Sequence, residues 1–134
     1  MRPVIALGAL LAGCGGPAMA AYTPAEKKTD LAPDALYAAA EGALLDAGYL
    51  IETRDPAGHR LETQERTMAG SEIKQDKYRY RWTVETAGGT LKLRVSCERV
   101  SGDDGEDCGG ERPEKLVKEQ DRLIEQIVSE AKSQ

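Results

Sequence analysis

Few residues in this 134-residue chain could carry chemistry: three cysteines, at positions 14, 97 and 108, and one histidine, His59. A hydrolase needs a nucleophile beside a base, and the surroundings of Ser71, Ser96 and Ser101 do not offer one. Two cysteines and a single distant histidine do not make a zinc site. His59 follows a turn in a highly charged strand, which predicts a solvated side chain. The sequence therefore predicts a protein that is not an enzyme and that has no cofactor and no metal site.

Cys14 closes an apolar run near the start of the chain. Arg2 precedes that run, Val4–Ala12, which is too short to span a bilayer and is typical of a targeting peptide. The segment Leu11-Ala12-Gly13-Cys14 resembles the lipobox of bacterial lipoproteins. The resemblance implies a signal peptide over residues 1–13 and cleavage before Cys14. It also implies lipidation of Cys14 with palmitate-type acyl chains, which hold the mature protein at a membrane.

The residues after Cys14 bear on where the protein works. Gly15 stands where lipoproteins retained in the inner membrane tend to carry Asp, so the resemblance implies the outer membrane, facing the periplasm. Ala18-Met19-Ala20 leaves an alternative open, because it fits the small-x-small cleavage site of a soluble secreted protein. Both alternatives predict an exported protein.

Export leaves Cys97 and Cys108 as a pair, because Cys14 is then either lipidated or removed. An oxidising compartment favours a disulfide between them. The stretch from Ser101 to Arg112 is polar and predicts a loop. Its acidic run, Asp103–Asp107, lacks the spacing of an EF-hand, so a solvated loop is expected there rather than a calcium site.

The charge balance argues against one class of partner. The chain has 18 basic and 23 acidic residues, which gives a net charge of −5. Removal of Arg2 with the signal peptide makes the mature chain more acidic by one charge. An acidic protein attracts the phosphate backbone poorly, so no nucleic-acid partner is predicted.

Apolar periodicity predicts two helices. Pro33 opens the first, which ends at Ala47 before Gly48, and Pro113 opens the second, which runs to about Ala131. Residues 14–30 show no apolar period and predict a lipidated flexible tether. A single domain is therefore expected over residues 31–134.

Four strands are predicted between the helices, over residues 49–54, 59–67, 77–86 and 90–100. In the first hairpin Gly58 is expected to take the left-handed position of the turn Asp55-Pro56-Ala57-Gly58. In the second hairpin Gly88-Gly89 forms a two-residue turn. That turn fixes a register with an apolar and a charged face, and a slip of one residue would oppose apolar to charged side chains. The predicted cross-strand pairs are Ala87–Thr90, Val84–Leu93, Trp82–Val95, Tyr80–Cys97, Glu85–Lys92 and Arg79–Glu98.

The order of helix, four strands and helix predicts an α+β fold. The economical packing is a two-layer sandwich, in which a four-stranded antiparallel meander carries both helices on one face. This order is weakly similar to small lipoproteins that accompany outer-membrane assembly machinery.

The charged face of the second hairpin is the candidate functional surface. Arg81 opposite Ser96 and Arg94 opposite Thr83 have no carboxylate across the strands, so they could bind an anionic partner such as a carboxylate or phosphate. Charges that only keep a sheet face soluble are the alternative.

We therefore expect a non-catalytic binding or accessory role in envelope structure or assembly. The expected partner, besides the membrane, is an envelope protein or an anionic envelope component. A secreted inhibitor or immunity-like protein, which would block an enzyme with the loop over residues 101–109, is the alternative.

Overall fold

The computed structural model describes residues 20–22, 24–69, 77–101, 104–107 and 114–134. These residues form an α+β fold with one antiparallel sheet and two helices. In chain order the elements are β1 (Ala20–Ala21), β2 (Ala25–Lys28), α1 (Pro33–Asp46), β3 (Ile51–Asp55), β4 (Arg60–Thr63), β5 (Arg66–Ala69), β6 (Lys77–Ala87), β7 (Thr90–Ser101), β8 (Asp104–Asp107) and α2 (Glu114–Lys132).

The long hairpin of β6 and β7 lies at the centre of the sheet. Because β6 pairs with β7 over its whole length, β1, β2 and β8 all pair along the other side of β7. On the far side of β6 lie β4 and β5, and β3 pairs with β4. The strands therefore occupy five positions across the sheet. The sheet is larger than the predicted four-stranded meander because short segments before α1 and after β7 extend it.

The predicted register of the central hairpin is confirmed at every pair. Trp82 lies opposite Val95 and Ala87 opposite Thr90, as a two-residue turn requires. Gly88 and Gly89 have φ of 54° and 82°, which is the left-handed backbone of a type I′ turn and favours glycine. The side chains on the inner face of the hairpin are buried: Tyr80, Trp82, Val84, Leu91, Leu93, Val95 and Cys97.

The two helices contact each other and complete one apolar core with the inner face of the hairpin. Helix α1 contacts β3, β4 and β6, whereas α2 contacts β7. The predicted end of α1 is confirmed to within a residue. Gly48 has φ of 91°, and the amides of Gly48 and Tyr49 donate to the carbonyls of Leu45 and Leu44, which forms a Schellman motif.

Helix α2 buries a polar residue within its apolar stripe. Leu123, Ile127 and Ala131 face the core, and Gln120, which the apolar period places on the same stripe, is 2% exposed. The Gln120 side-chain amide donates to the carbonyl of Leu93 at 2.8 Å. This bond ties α2 to β7 and satisfies a polar group that would otherwise be costly to bury.

The predicted flexible tether is wrong for its second half. Ala20 and Ala21 pair with Cys97 and Ser96, and β2 pairs with residues 90–93 of β7. Thr29 then fastens the segment to the hairpin turn. Both its amide and its hydroxyl donate to the Gly89 carbonyl at 2.8 Å. Among the described residues the sheet begins at Ala20, and residues 14–19 lie outside them.

The first hairpin differs from its prediction in two details. The left-handed residue of its turn is His59, with φ of 52°, and not Gly58. A Cβ at Gly58 would lie 2.3 Å from Asp55 Oδ2 and would displace the Asp55 side chain, which accepts a hydrogen bond from the Gly58 amide at 3.0 Å. In β3 the register shifts between Ile51 and Thr53, so the predicted alternation of faces breaks.

The predicted polar loop after β7 contains a strand. Asp104–Asp107 forms β8, which pairs with residues 98–101 and extends the sheet along β7. Only residues 102–103 separate the two strands, and they lie outside the described residues, as do residues 108–113.

Trp82→Ala should destabilise the fold strongly. Trp82 is fully buried, and its ring contacts the edges of the Tyr49 and Tyr80 rings, with centroids 6.3 and 6.4 Å away. Truncation leaves a large cavity, which typically costs about 3–5 kcal/mol of unfolding free energy. Urea unfolding monitored by far-UV circular dichroism measures the loss. Lys115→Ala, at an exposed position of α2, is the control and should unfold like the wild type; equal stability of the two variants would refute the core assignment.

Candidate binding surfaces

Arg81 lies on the sheet face away from the helices, as predicted, but it is not free. Its guanidinium contacts three carboxylates, those of Glu52, Glu62 and Glu65, at 3.2 to 3.4 Å. Two of these acids come from β3 and β4 and one from the link between β4 and β5. The register of β6 and β7 could not predict these partners, because they lie outside those two strands. Arg81 is therefore a structural cross-link between strands and not an open anion site.

The rest of this outer face is organised as rows of opposite charge. Arg79 pairs with Glu98, as predicted, and the buried carboxylate of Glu98 is 5% exposed. A second row crosses five strand positions with alternating sign, in the order Asp55, Arg60, Glu85, Lys92 and Glu26. Opposite charges on neighbouring strands favour this pairing of the strands.

Arg94 differs from Arg79 and Arg81 in having no carboxylate partner among the described residues. It lies opposite Thr83 in the register, and its Nε is buried without a hydrogen-bond partner. Within the described residues its side chain forms no ion pair. Of the two predicted anion-binding residues, Arg94 thus keeps an uncommitted charge and Arg81 does not. The two are not brought together as a shared site, because Arg81 is turned to its carboxylates.

A groove on the other side of the molecule was not predicted. It has a volume of about 590 Å³ and lies between β2 and α2. Lys27 of β2 pairs with the buried Leu91, so its side chain lies on the helix side of the sheet. One stripe of α2 forms the opposite wall: Asp121, Ile124, Glu125, Val128, Ser129 and Lys132.

The groove combines an apolar floor with uncommitted charges. Val128 is 8% exposed, and Ile124 is partly buried against the core. Within the described parts of the chain, none of the four charged side chains, Lys27, Asp121, Glu125 and Lys132, forms a hydrogen bond or an ion pair. This contrasts with the other flank of α2, where Glu119 pairs with Arg122 and Glu114 with Lys118. A concave surface of this size with a few unpaired polar groups is typical of a binding site.

Sequence reasoning missed the groove for an identifiable reason. Lys27 lies in the segment that was predicted to be a flexible tether, so the predicted fold did not contain the wall that β2 forms. The other wall could have been found, because Ile124 and Val128 lie at the edge of the apolar stripe and Asp121, Glu125 and Ser129 follow it at helical spacing.

The side chain of His59 contacts helix α1. The prediction that it is simply solvated is therefore wrong. Its Nε2 lies 2.6 Å from Asp34 Oδ1, and its ring meets the edge of Tyr37 with centroids 6.0 Å apart. The carbonyl of His59 also accepts from the Thr86 amide at 3.0 Å. The side-chain nitrogen contacts a carboxylate and no hydroxyl or thiol among the described residues. The contacts fasten the hairpin turn to α1 and β6.

A second polar cluster joins α2 to the sheet. The Tyr49 hydroxyl donates to Glu119 at 3.0 Å, and Arg122 donates to the same carboxylate at 2.8 Å. Arg66 lies over the Tyr49 ring, 4.6 Å from its centroid. Burial raises the pKa of Tyr49, which keeps its hydroxyl protonated as a donor. The hydrogen bond from Arg122, and then that from Tyr49, lowers the pKa of Glu119 against the opposing effect of burial.

Of the three cysteines, the structure describes Cys97. Cys97 is fully buried in β7. Its neighbour Glu98 pairs with Asp107, the residue before Cys108, so the strands approach each other where the predicted disulfide would form. Cys108 itself and Cys14 lie outside the described residues, so the bridge and the lipidation stay predictions. In the part of the chain that the structure describes, no cluster of three or more metal-ligating side chains occurs, and no helix could cross a membrane.

Replacement of Arg81 and of Arg94 should have different consequences. Arg81→Gln leaves three carboxylates facing one another and should lower the unfolding free energy by about 1 kcal/mol, less in 1 M NaCl. Arg94→Gln breaks no ion pair and should stay within about 0.5 kcal/mol of wild type. Urea unfolding at low and high salt measures both. An equal loss for Arg94→Gln would show that this residue also has a structural partner.

The stability of the protein should depend on pH through Glu119. A carboxylate whose pKa is lowered by folding stabilises the folded state above its unfolded pKa, and this contribution is lost as the pH falls through the folded value. Wild type should therefore be more stable than Glu119→Gln at pH 7, and the difference should shrink below about pH 4. Urea unfolding at pH 7 and pH 3 tests this, with the unpaired Glu125→Gln as control. A difference that is unchanged at pH 3 would contradict the assignment.

The comparisons with known proteins bear on the fold. No protein-family model and no curated protein sequence matches the chain. A solved structure of a DUF4468 family protein from Bacteroides ovatus is similar over 84% of this chain and 86% of its own, with a TM-score of 0.58 and 9% identity. A TBP-like protein from Parabacteroides distasonis is similar over 84% of this chain and 92% of its own, with a TM-score of 0.56 and 8% identity. At these identities the likeness shows a shared α+β fold and nothing about activity.

Proposed function

We propose that this protein is an exported lipoprotein with a non-catalytic binding role in the cell envelope, anchored through Cys14 to the outer membrane and facing the periplasm. One observation supports the binding role above the others. The groove between β2 and α2 holds four charged side chains that are uncommitted within the described residues, whereas Arg79 and Arg81 of the outer face are paired with carboxylates.

The position of the first strand supports a short tether. Ala20, the first described residue that pairs with β7, follows Cys14 by six positions. Even fully extended, that span reaches only about 20 Å. The domain would therefore be held close to the bilayer instead of ranging freely on a long linker. A proposed disulfide between Cys97 and Cys108 would brace the strand that receives this tether.

The partner we propose is an envelope protein or an anionic envelope component. An anionic group would find its cation at Arg94, whose charge has no counterion among the described residues. The alternative function, a secreted inhibitor or immunity-like protein, draws on the hairpin of β7 and β8. A paired strand presents a projecting segment more rigidly than a free loop would.

Cys14→Ser tests the anchor. The change removes the sulfur that would carry the lipid, so the protein should leave the membrane fraction or accumulate with its signal peptide. Fractionation and intact-mass analysis of protein expressed in a bacterial host measure this, and Cys108→Ser is the matched control, which should stay in membranes. A wild-type protein that is soluble and begins at Ala21 would refute the lipoprotein proposal and favour the secreted alternative.

A further inference from the structure

The free edge of the sheet runs along the groove. Within the described residues, β2 pairs only with β7, so no strand lies on its outer side. Helix α2 stands beside this edge and forms the facing wall. An extended segment placed here would meet backbone donors and acceptors on one wall and side chains on the other, which is the arrangement by which peptides add a strand to a sheet.

The charges along α2 give the groove a direction. Asp121 and Glu125 lie toward one end and Lys132 toward the other. Lys132 follows Asp121 by eleven positions of the helix, which is about 16 Å at 1.5 Å per residue. An extended chain covers this distance in about five residues. A segment with a basic residue near Asp121 and an acidic residue about four or five positions away near Lys132 would pair with both ends.

Lys27 and Lys28 make the edge selective. Exposed lysines on an edge strand discourage indiscriminate pairing, because a neutral strand would bury their charges without a counterion. Both are exposed, and Lys27 lines the groove. Only a strand that brings carboxylates to this edge would remove the penalty. The same feature that protects the edge from aggregation therefore specifies the occupant.

We propose that the groove binds an extended, mixed-charge segment of a partner protein as an additional strand on β2. The segment would lay its basic residue against Asp121 and Glu125 and its acidic residue against Lys132, and a further carboxylate would neutralise Lys27. This inference rests on the proposed binding function and names the partner's chemistry for the groove.

A randomised peptide library displayed on phage tests the pattern. The bait is the mature wild-type protein in detergent micelles. Enriched peptides should carry Lys or Arg four or five positions from Glu or Asp. The double change Glu125→Lys, Lys132→Glu reverses the groove's charges and should reverse the order of charges in the enriched set. The matched control, Glu114→Lys, Lys118→Glu, reverses a pair on the same helix outside the groove and should select the wild-type pattern.

Synthetic peptides then test the added strand. The best peptide should bind wild type at least tenfold more tightly than its charge-reversed version, by fluorescence anisotropy. Methylation of its alternate backbone amides on the strand-facing side should abolish binding, whereas methylation of the solvent-facing set should not. Circular dichroism and urea unfolding confirm that every variant folds.

Several outcomes would overturn the proposal. One is a set of enriched peptides with no common charge pattern. Another is an enriched set that stays the same when the charges of the groove are reversed. A third is tight binding of the peptide with either set of backbone amides methylated. A concentration-dependent dimer that the groove reversal dissociates would show that a second copy fills the edge, and it too would overturn the proposal. If peptide binding fails while the protein still leaves the membrane on Cys14→Ser, the anchor stands and only the assignment of the groove falls.

Discussion

The structure depends on the register of the central hairpin. Over residues 79–98, the pairing of Trp82 with Val95 places the large apolar side chains of β6 and β7 on one face and the charged ones on the other. A slip of one residue would turn one of the two strands over and bring either Arg81 or Lys92 toward the core, at a large cost in stability. Because Gly88 and Gly89 fix the turn, the register is decided locally. The helices then dock on a face that already exists.

The same turn also determines where the sheet ends. A Cβ at Gly89 would lie 2.6 Å from the Thr29 carbonyl oxygen, so only glycine allows the N-terminal segment to approach the turn. With Thr29 fastened there, β2 adds a fifth position to the sheet. Helix α1 contacts β3, β4 and β6, and α2 contacts β7, so β2 lies at the margin of the sheet that the helices cover. The groove lies beside this marginal strand.

The elements that the sequence predicted well are those whose pattern is local. The hairpin register follows from alternation and two glycines, and the end of α1 follows from Gly48. The elements it missed are short strands with no pattern of their own. Ala20–Ala21 and Ala25–Lys28 have low strand propensity, and they are strands because β7 offers an unpaired edge. Asp104–Asp107 is a strand for the same reason.

The candidate binding residues can also be divided into those that a local pattern predicts and those that depend on distant parts of the chain. The isolation of Arg94 could be inferred from the hairpin alone, since its cross-strand neighbour is Thr83. The commitment of Arg81 could not, because two of its carboxylate partners, Glu52 and Glu62, come from the other hairpin and one, Glu65, from the link after it. The groove was out of reach for a different reason. Its two walls are nearly a hundred residues apart in the chain, and one of them exists only because β2 pairs with β7.

The path of the N-terminal segment bears on which partner can reach the groove. Ala20 lies opposite Cys97, whereas Lys27 lies opposite Leu91, six residues closer to the turn. At about 3.4 Å per residue, Lys27 is roughly 20 Å farther along the sheet than the point where the tether enters. If Cys14 anchors the protein as proposed, the groove would stand roughly 20 Å from the point where the tether enters the sheet. A segment of a periplasmic protein could then reach the groove more readily than a lipid headgroup of the anchoring membrane could. That arrangement would suit a protein partner for the groove, whereas Arg94, two residues from the Ser96 position where the N-terminal strand pairs, would be the cation closer to the membrane.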